Sequence, residues 1–248
     1  MKMHPKTHNV LQIGGIFCLT VALLPCAIGC SPTEPIARPQ AAFSGPVFEE
    51  GKAAVSGKDP NAVLTSIAMQ SFATSDKTPN WTYLYASQKY GKYYVVFNDG
   101  EKSTAGIYGD TRWNEDEWQH AADSSNQSIN QVTYDADAAY KKVIDEYYDG
   151  ASNAPYRMAL ITYDAENVRN ADSPQLMAWY IYIASQEKYD ELAEADSEQQ
   201  RSSNALQENN NLGAITGEGH GSENNASYEN AIEATYTVDA VTGEMRKL

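Results

Sequence analysis

Two rhythms of apolar residues organise this chain, one with the period of a helix and one with the period of a strand. Over 62–73, Val63, Leu64, Ile67, Ala68 and Phe72 recur three and four residues apart, which predicts one helical face. Asp59 and Pro60 precede them, a capping side chain followed by a proline suited to a first turn. The period then changes. Residues 81–85 alternate, with Trp81, Tyr83 and Tyr85 on one side, and 93–97 alternate through Tyr93, Tyr94, Val95, Val96 and Phe97. Tyr90-Gly91-Lys92 stands at the bend between these two strands, and Asn98-Asp99-Gly100 is a hairpin turn signal leading to a third strand near 105–108.

The same order returns in the second half. Asp135 and Asp137 open a helix through Ala139, Tyr140, Val143, Ile144 and Tyr147, which Gly150 ends. Strands are predicted at 158–163 and 176–184. The second places Met177, Trp179, Ile181 and Ile183 on one face, with Tyr180 and Tyr182 on the other. A last pair, 234–238 and 244–247, is joined by Asp239-Ala240-Val241-Thr242-Gly243. A helix covers one face of such a sheet. The expected fold class is therefore α+β, with two repeated units, each a helix packed on a small antiparallel sheet of about three to four strands.

Polar stretches divide these units. Residues 31–55 hold Pro32, Pro35, Pro39 and Pro46 among small and polar residues, which predicts a flexible tether over 30–55. The first unit then occupies 56–112, a polar linker or short cap 113–131, and the second unit 132–248. Within the second unit, about 186–230 is rich in Glu, Asn, Ser and Gly. So little apolar surface leaves the entropy of ordering uncompensated, and a mobile acidic insertion is expected there, helical near 187–195.

The first thirty residues address the compartment. Lys2 and Lys6 give a basic start, and an apolar run extends from Val10 to Ile28. These features, with a small-residue exit, describe a secretory signal over 1–29. The exit, Ala27-Ile28-Gly29-Cys30-Ser31, resembles the lipobox of bacterial lipoproteins, with Ala27 where that family more often has leucine. The resemblance implies cleavage before Cys30 and lipid on its thiol. It places the chain on the extracytoplasmic face of a cell membrane, with the outer membrane a further option in a cell that has two. All three cysteines, Cys18, Cys26 and Cys30, lie in this segment. The remainder has neither thiolate ligands nor a disulfide, so its core must stabilise it alone.

Charge narrows the partners further. Removing Lys2 and Lys6, the only charged residues before Glu34, takes the formal charge from −15 to −17. Such an acidic surface repels nucleic acid and anionic headgroups, so anchoring falls to the lipid. Beyond the signal the only histidines are His120 and His220, and neither has a second histidine at helical spacing. Phosphate loops, dinucleotide fingerprints and nucleophile elbows are absent from the sequence. No metal, cofactor or catalytic residue is expected. The acidic runs Glu115-Asp116-Glu117 and Asp190-Glu191 suit solvated faces.

The closing segment 234–245, Ala-Thr-Tyr-Thr-Val-Asp-Ala-Val-Thr-Gly-Glu-Met, is similar to the ending of PepSY domains, with its strand, Asp-containing turn, glycine and following strand. The helix at 137–148 and the strand at 179–183 fit the same plan, so the chain resembles a tandem PepSY-like protein. The first unit matches less closely, and the long insertion departs from the family's compact form. The resemblance implies small helix-on-sheet modules of secreted proteins, linked with inhibiting or modulating peptidases. It supplies no catalytic residues. The expected function is thus non-catalytic engagement of a protein or peptidase partner at the envelope. Two alternatives remain: carbohydrate or peptidoglycan binding through tyrosine-rich sheet faces, and hydrolysis by an unrecognised carboxylate pair. The aromatic residues Trp81, Tyr83, Tyr85, Trp179, Tyr180 and Tyr182 are the candidate ligand contacts, since rings offer large contact area at low entropy cost.

Overall fold

The computed structural model describes residues 36, 38–43, 45–75, 79–98, 103–163, 175–209 and 228–248. The chain divides into two units, Met1–Thr33 and Glu34–Leu248, and every described residue belongs to the second. The expected signal over 1–29 and Cys30, the expected lipid acceptor, lie outside the described residues.

Helix α1 (Pro46–Ser56) comes first, inside the stretch expected to be tether. Pro46 occupies its first turn, and Phe48, Gly51 and Val55 turn one face inward. Gly51 is required by close approach, because a Cβ there would stand 3.0 Å from Val96 Cγ1. The residues before α1 are also packed. Ile36, Pro39, Ala42 and Phe43 are buried, and the Ala42 and Phe43 N–H groups donate to the Asp135 carboxylate at 2.8 and 2.9 Å. From residue 36 onward the chain is part of the domain, and the expectation of a flexible tether over 30–55 is corrected accordingly.

Strand β1 (Val63–Met69) replaces the helix expected over 62–73. The reason is a bulge. Pairing with β2 (Trp81–Ser87) shifts register between Leu64 and Ser66, which adds one residue and re-phases the alternation. Leu64 and Ile67 therefore both enter the core although three residues separate them, and the strand imitates helical spacing. Asp59 does not cap a helix. Its carboxylate accepts from Asn61 N–H at 3.0 Å and from Ser87 Oγ at 2.5 Å, tying the exit of α1 to the end of β2.

Strands β3 (Lys92–Asn98) and β4 (Ser103–Asp110) complete a first meander, and α2 (Glu115–Ile129) follows where a linker was expected over 113–131. Asn114 and Glu117 start it as a reciprocal cap. Asn114 N–H donates to Glu117 Oε2 at 2.8 Å, and Glu117 N–H donates to Asn114 Oδ1 at 3.0 Å. Helix α3 (Ala136–Tyr147) begins after Asp135, which accepts from Ala136 N–H at 2.6 Å. Gly150, at φ +82°, lies just beyond its end, with its N–H donating back to Ile144 O at 3.0 Å.

The second meander comprises β5 (Tyr156–Ile161), β6 (Ala178–Ala184), β7 (Ile232–Asp239) and β8 (Met245–Lys247), with α4 (Gln186–Asn209) between β6 and β7. Residues 186–209 of the expected mobile insertion are thus helical, and Tyr189 and Leu192 pack against Phe72 and Ala231. The rest of that insertion, 210–227, lies outside the described residues.

All eight strands form one antiparallel sheet in the order β4-β3-β2-β1-β5-β6-β7-β8. The fold is α+β, as expected, but the expectation of separate small sheets is corrected. The seam is β1 against β5, with Ser66, Ile67 and Ala68 opposite Ile161, Leu160 and Ala159. Thr162 and Tyr163 N–H extend it by donating to Thr65 O at 2.9 and 3.1 Å. One hydrophobic cluster joins α1, α3 and the covered sheet face, from Phe48 and Tyr83 through Ile67 and Leu160 to Val143, Ile144 and Trp179.

Ile144 is 2% exposed within this cluster, whereas Asp145 faces solvent in an ion pair with Lys141. Ile144→Ala should cost roughly 2–5 kcal/mol, and Asp145→Ala should stay within about 0.5 kcal/mol. Urea titration measures both, and coinciding midpoints would contradict the packing of α3.

Candidate functional site

The two faces of the sheet have different fates. One lies beneath α1 and α3 and carries Trp81, Tyr83, Tyr85, Tyr94, Tyr156, Trp179 and Tyr236, all within the main core. Among the described residues, the other is covered by parts of α2 and α4. There α2 sets Ala121 on Val63 and Tyr163, while α4 reaches Phe72 and Ala184.

Four of the six candidate aromatic contacts belong to the covered face. Trp81, Tyr83, Tyr85 and Trp179 are 4%, 0%, 5% and 0% exposed, so each is a core side chain with no surface for a ligand. Alternation had grouped them correctly, but periodicity alone does not reveal which side of a strand the helices cover. Their polar atoms show the cost of burial. Tyr83 OH donates to Ala42 O at 3.1 Å, and Trp179 Nε1 donates to Tyr134 O at 2.9 Å. Trp81 Nε1 and Tyr85 OH are buried without a hydrogen-bond partner. Burial pushes the Tyr83 and Tyr85 phenols far up, and the Glu49 charge adds to the effect on Tyr85. Both therefore stay neutral at ordinary pH.

The remaining two, Tyr180 and Tyr182, are half-buried on the other face. Cross-strand register places them in rows. Phe97 stands beside Thr82, Thr82 beside Ala68, Ala68 beside Ala159, and Ala159 beside Tyr180. A parallel row runs from Val95 through Leu84 and Ser66 to Ile161. Small residues occupy the middle of this face, and rings stand at both sides: Phe97, 47% exposed, on the first meander, and Tyr180 and Tyr182 on the second. Arg157 lies 5.5 Å from the Tyr182 ring and donates to Glu229 Oε1 at 2.9 Å. Tyr180 OH accepts from Gln175 N–H at 2.6 Å. These contacts fix the two tyrosines in place while leaving part of each ring wet.

A second aromatic group went unnoticed in the sequence because its members are scattered. Trp113 packs on Trp118 at 4.5 Å, on Tyr163 at 5.0 Å and on Tyr93 at 6.2 Å between ring centres. Tyr163 OH donates to Glu117 O at 3.0 Å. The rings fill one another's space and seat α2 on the sheet. They form a small core and leave no cage for a ligand.

The turn that carried the family resemblance is a packing device. Asp239 Oδ1 accepts from Val241 N–H at 2.9 Å and Thr242 N–H at 2.7 Å. Burial alone would raise its carboxyl, but these donors outweigh burial and hold it below its ordinary value. Gly243, at φ +73°, lies against the Tyr134 ring, where a Cβ would approach to 2.4 Å. The turn thereby locks to the residues leading into α3, with Thr133 and Tyr134 N–H donating to Ala240 O, each at 2.9 Å.

Two cavities adjoin the core helices. A cavity of about 260 Å³ beside α1 is lined by Phe48, Lys52, Val55, Leu64, Tyr85 and Ile129, among others. One of about 350 Å³ beside α3 is lined by residues that include Ile36, Arg38, Tyr140 and Ile144. Neither lining contains an acidic residue, a histidine or a cysteine. The buried carboxylates Asp59 and Glu117 are engaged in the local turn and cap already described. Among the described residues no group of three metal-ligating side chains occurs, and none of their helices is long and apolar enough to cross a membrane. His120 is exposed beside Tyr163, and His220 lies outside the described residues. No protein-family model, curated protein or solved structure matches the chain.

Proposed function

We propose that this chain is an exported lipoprotein, held on the extracytoplasmic face of a membrane by lipid on Cys30. There it acts as a non-catalytic module that binds a protein partner, such as a peptidase that it modulates. The observation carrying the binding reading is the sheet face between α2 and α4. It offers Phe97, Leu84, Ile161, Tyr180 and Tyr182 around small central residues. A broad, half-wet, apolar-and-aromatic surface without a deep acidic cleft suits recognition of another protein.

The tandem PepSY-like reading draws its support from topology. Each half places a helix, α1 or α3, ahead of four consecutive strands in a meander. On this reading the halves are two repeats whose sheets fused edge to edge at β1 and β5. The alternative of sugar binding loses most of its rings to the core, because a stacking platform needs exposed faces, and Trp81, Tyr83, Tyr85 and Trp179 have none.

The anchor and the binding face are tested separately. Cys30→Ala should abolish incorporation of a fatty-acid analogue and leave the precursor uncut, since the thiol is the acceptor. Equal labelling of both forms would end the lipoprotein assignment. For the binding face, full-length protein in detergent is used to capture partners from envelope extracts. Replacing both Phe97 and Tyr180 with serine should lower capture of a specific envelope protein roughly tenfold or more, the scale of an interface hot spot. Tyr147→Ser, on the exposed side of α3, should leave capture unchanged. Undiminished capture by the double variant, or retention of peptidoglycan alone, would overturn the reading.

A further inference from the structure

The two ends of the eight-stranded sheet are unequally protected. At one end β8 spans only Met245–Lys247 and carries Arg246 and Lys247, with Arg246 paired to Glu244 at 2.8 Å. A short, charged strand is a poor template for another chain. At the other end β4 runs eight residues, Ser-Thr-Ala-Gly-Ile-Tyr-Gly-Asp, with no lysine, arginine or proline and one charge, Asp110. Its inner side pairs with β3 along seven register positions. Among the described residues nothing pairs with its outer side. About half of a strand's backbone N–H and C=O groups point away from a single partner, so β4 presents a ready hydrogen-bonding edge.

Side chains reinforce this. Among the described residues five large apolar side chains are conspicuously exposed, and three lie on or next to this edge: Ile107 on β4 at 56%, Phe97 on β3 at 47% and Tyr90 in the turn before β3 at 43%. Ile107 lies across from Tyr94, on whose ring Tyr90 also packs, so these three share one face of the edge. Phe97 stands on the opposite face. A Cβ built on Gly106 or Gly109 would meet no described atom within 4 Å, so the faces of the strand are open at these two positions. The unpaired strand itself carries exposed apolar surface at Ile107, and alternate side chains of an added strand would fall on that face.

Charge chooses the occupant. A second copy of the processed chain would bring a formal charge of −17 against −17, and like-charged bodies repel as they approach. A cationic segment would be attracted to the acidic chain as a whole.

We propose that the outer edge of β4 takes up an extended, basic segment of a partner polypeptide as a ninth strand, with apolar side chains at alternate positions. This deepens the protein-binding reading, on which it rests, by naming the partner's conformation and charge.

The probe is a nine-residue peptide with valine at alternate positions, threonine between them and lysine at both ends. It is added to the full-length chain in detergent and followed by amide hydrogen exchange. Amides of residues 103–110 should gain at least tenfold protection, and those of Met245–Lys247 none. Affinity should fall as salt is raised. Ile107→Lys should weaken the peptide at least tenfold, and Tyr147→Lys should not. Absence of protection on β4, protection confined to the sheet face, or indifference to Ile107→Lys would overturn the proposal. So would β4 protection that grows with protein concentration without peptide, which would assign the edge to a second copy. If Ile107→Lys lost nothing while the Phe97 and Tyr180 substitutions abolished partner capture, the strand-addition proposal would fall and the protein-binding reading would stand.

Discussion

The pairing of β1 with β5 is the constraint on which the rest of the structure depends. Only three register positions define it, Ser66–Ile161, Ile67–Leu160 and Ala68–Ala159, supplemented by the hydrogen bonds of Thr162 and Tyr163 to Thr65 O. A backbone hydrogen bond contributes about 1 kcal/mol net, so the ladder itself is modest. Its importance lies in what it aligns. With β1 and β5 in register, Ile67 and Leu160 stand side by side beneath the helices. Trp81 of the first meander and Trp179 of the second then meet at 5.8 Å, and burial of these large side chains outweighs the ladder.

Asp135 closes the same seam from above. Its carboxylate takes N–H donors from Ala42, Phe43 and Ala136, so one side chain both starts α3 and holds the residues leading to α1. Phe43 reaches Phe48 at 5.6 Å and Trp179 at 6.3 Å, bridging α1 to the second meander. The described residues ahead of α1 are therefore integral to the domain.

What could be read in the sequence followed locality. Helix α3 was legible because its signals are adjacent: the Asp135 cap, the spacing of Ala139, Tyr140, Val143 and Ile144, and Gly150. Strand β6 was legible from strict alternation, and the β7–β8 hairpin from its Asp239 and Gly243 turn. Strand β1 was not, since the bulge at Thr65 gave Leu64 and Ile67 a helical separation. Helix α1 was hidden by Pro46 and by Gly51, a glycine demanded by Val96 rather than by the helix. Helix α2 was not legible, because its reciprocal cap of Asn114 and Glu117 emerged only in the structure and so few apolar residues line the segment that composition spoke for a linker. The union of the two meanders rests on partners about ninety residues apart, which no local pattern encodes. Of the candidate site, the alternation of the rings was visible and the side that the helices would cover was not. That side decides between core and contact.

The central claim is that one sheet with one shared core makes both halves a single cooperative unit. Amide hydrogen exchange of the full-length chain across a urea series tests it directly. Amides of Tyr83 and Val96 in the first meander and of Ile181 and Tyr236 in the second should converge on one unfolding isotherm with one midpoint and one slope. Two isotherms with separate midpoints, the first meander opening while the second remains protected, would contradict the account.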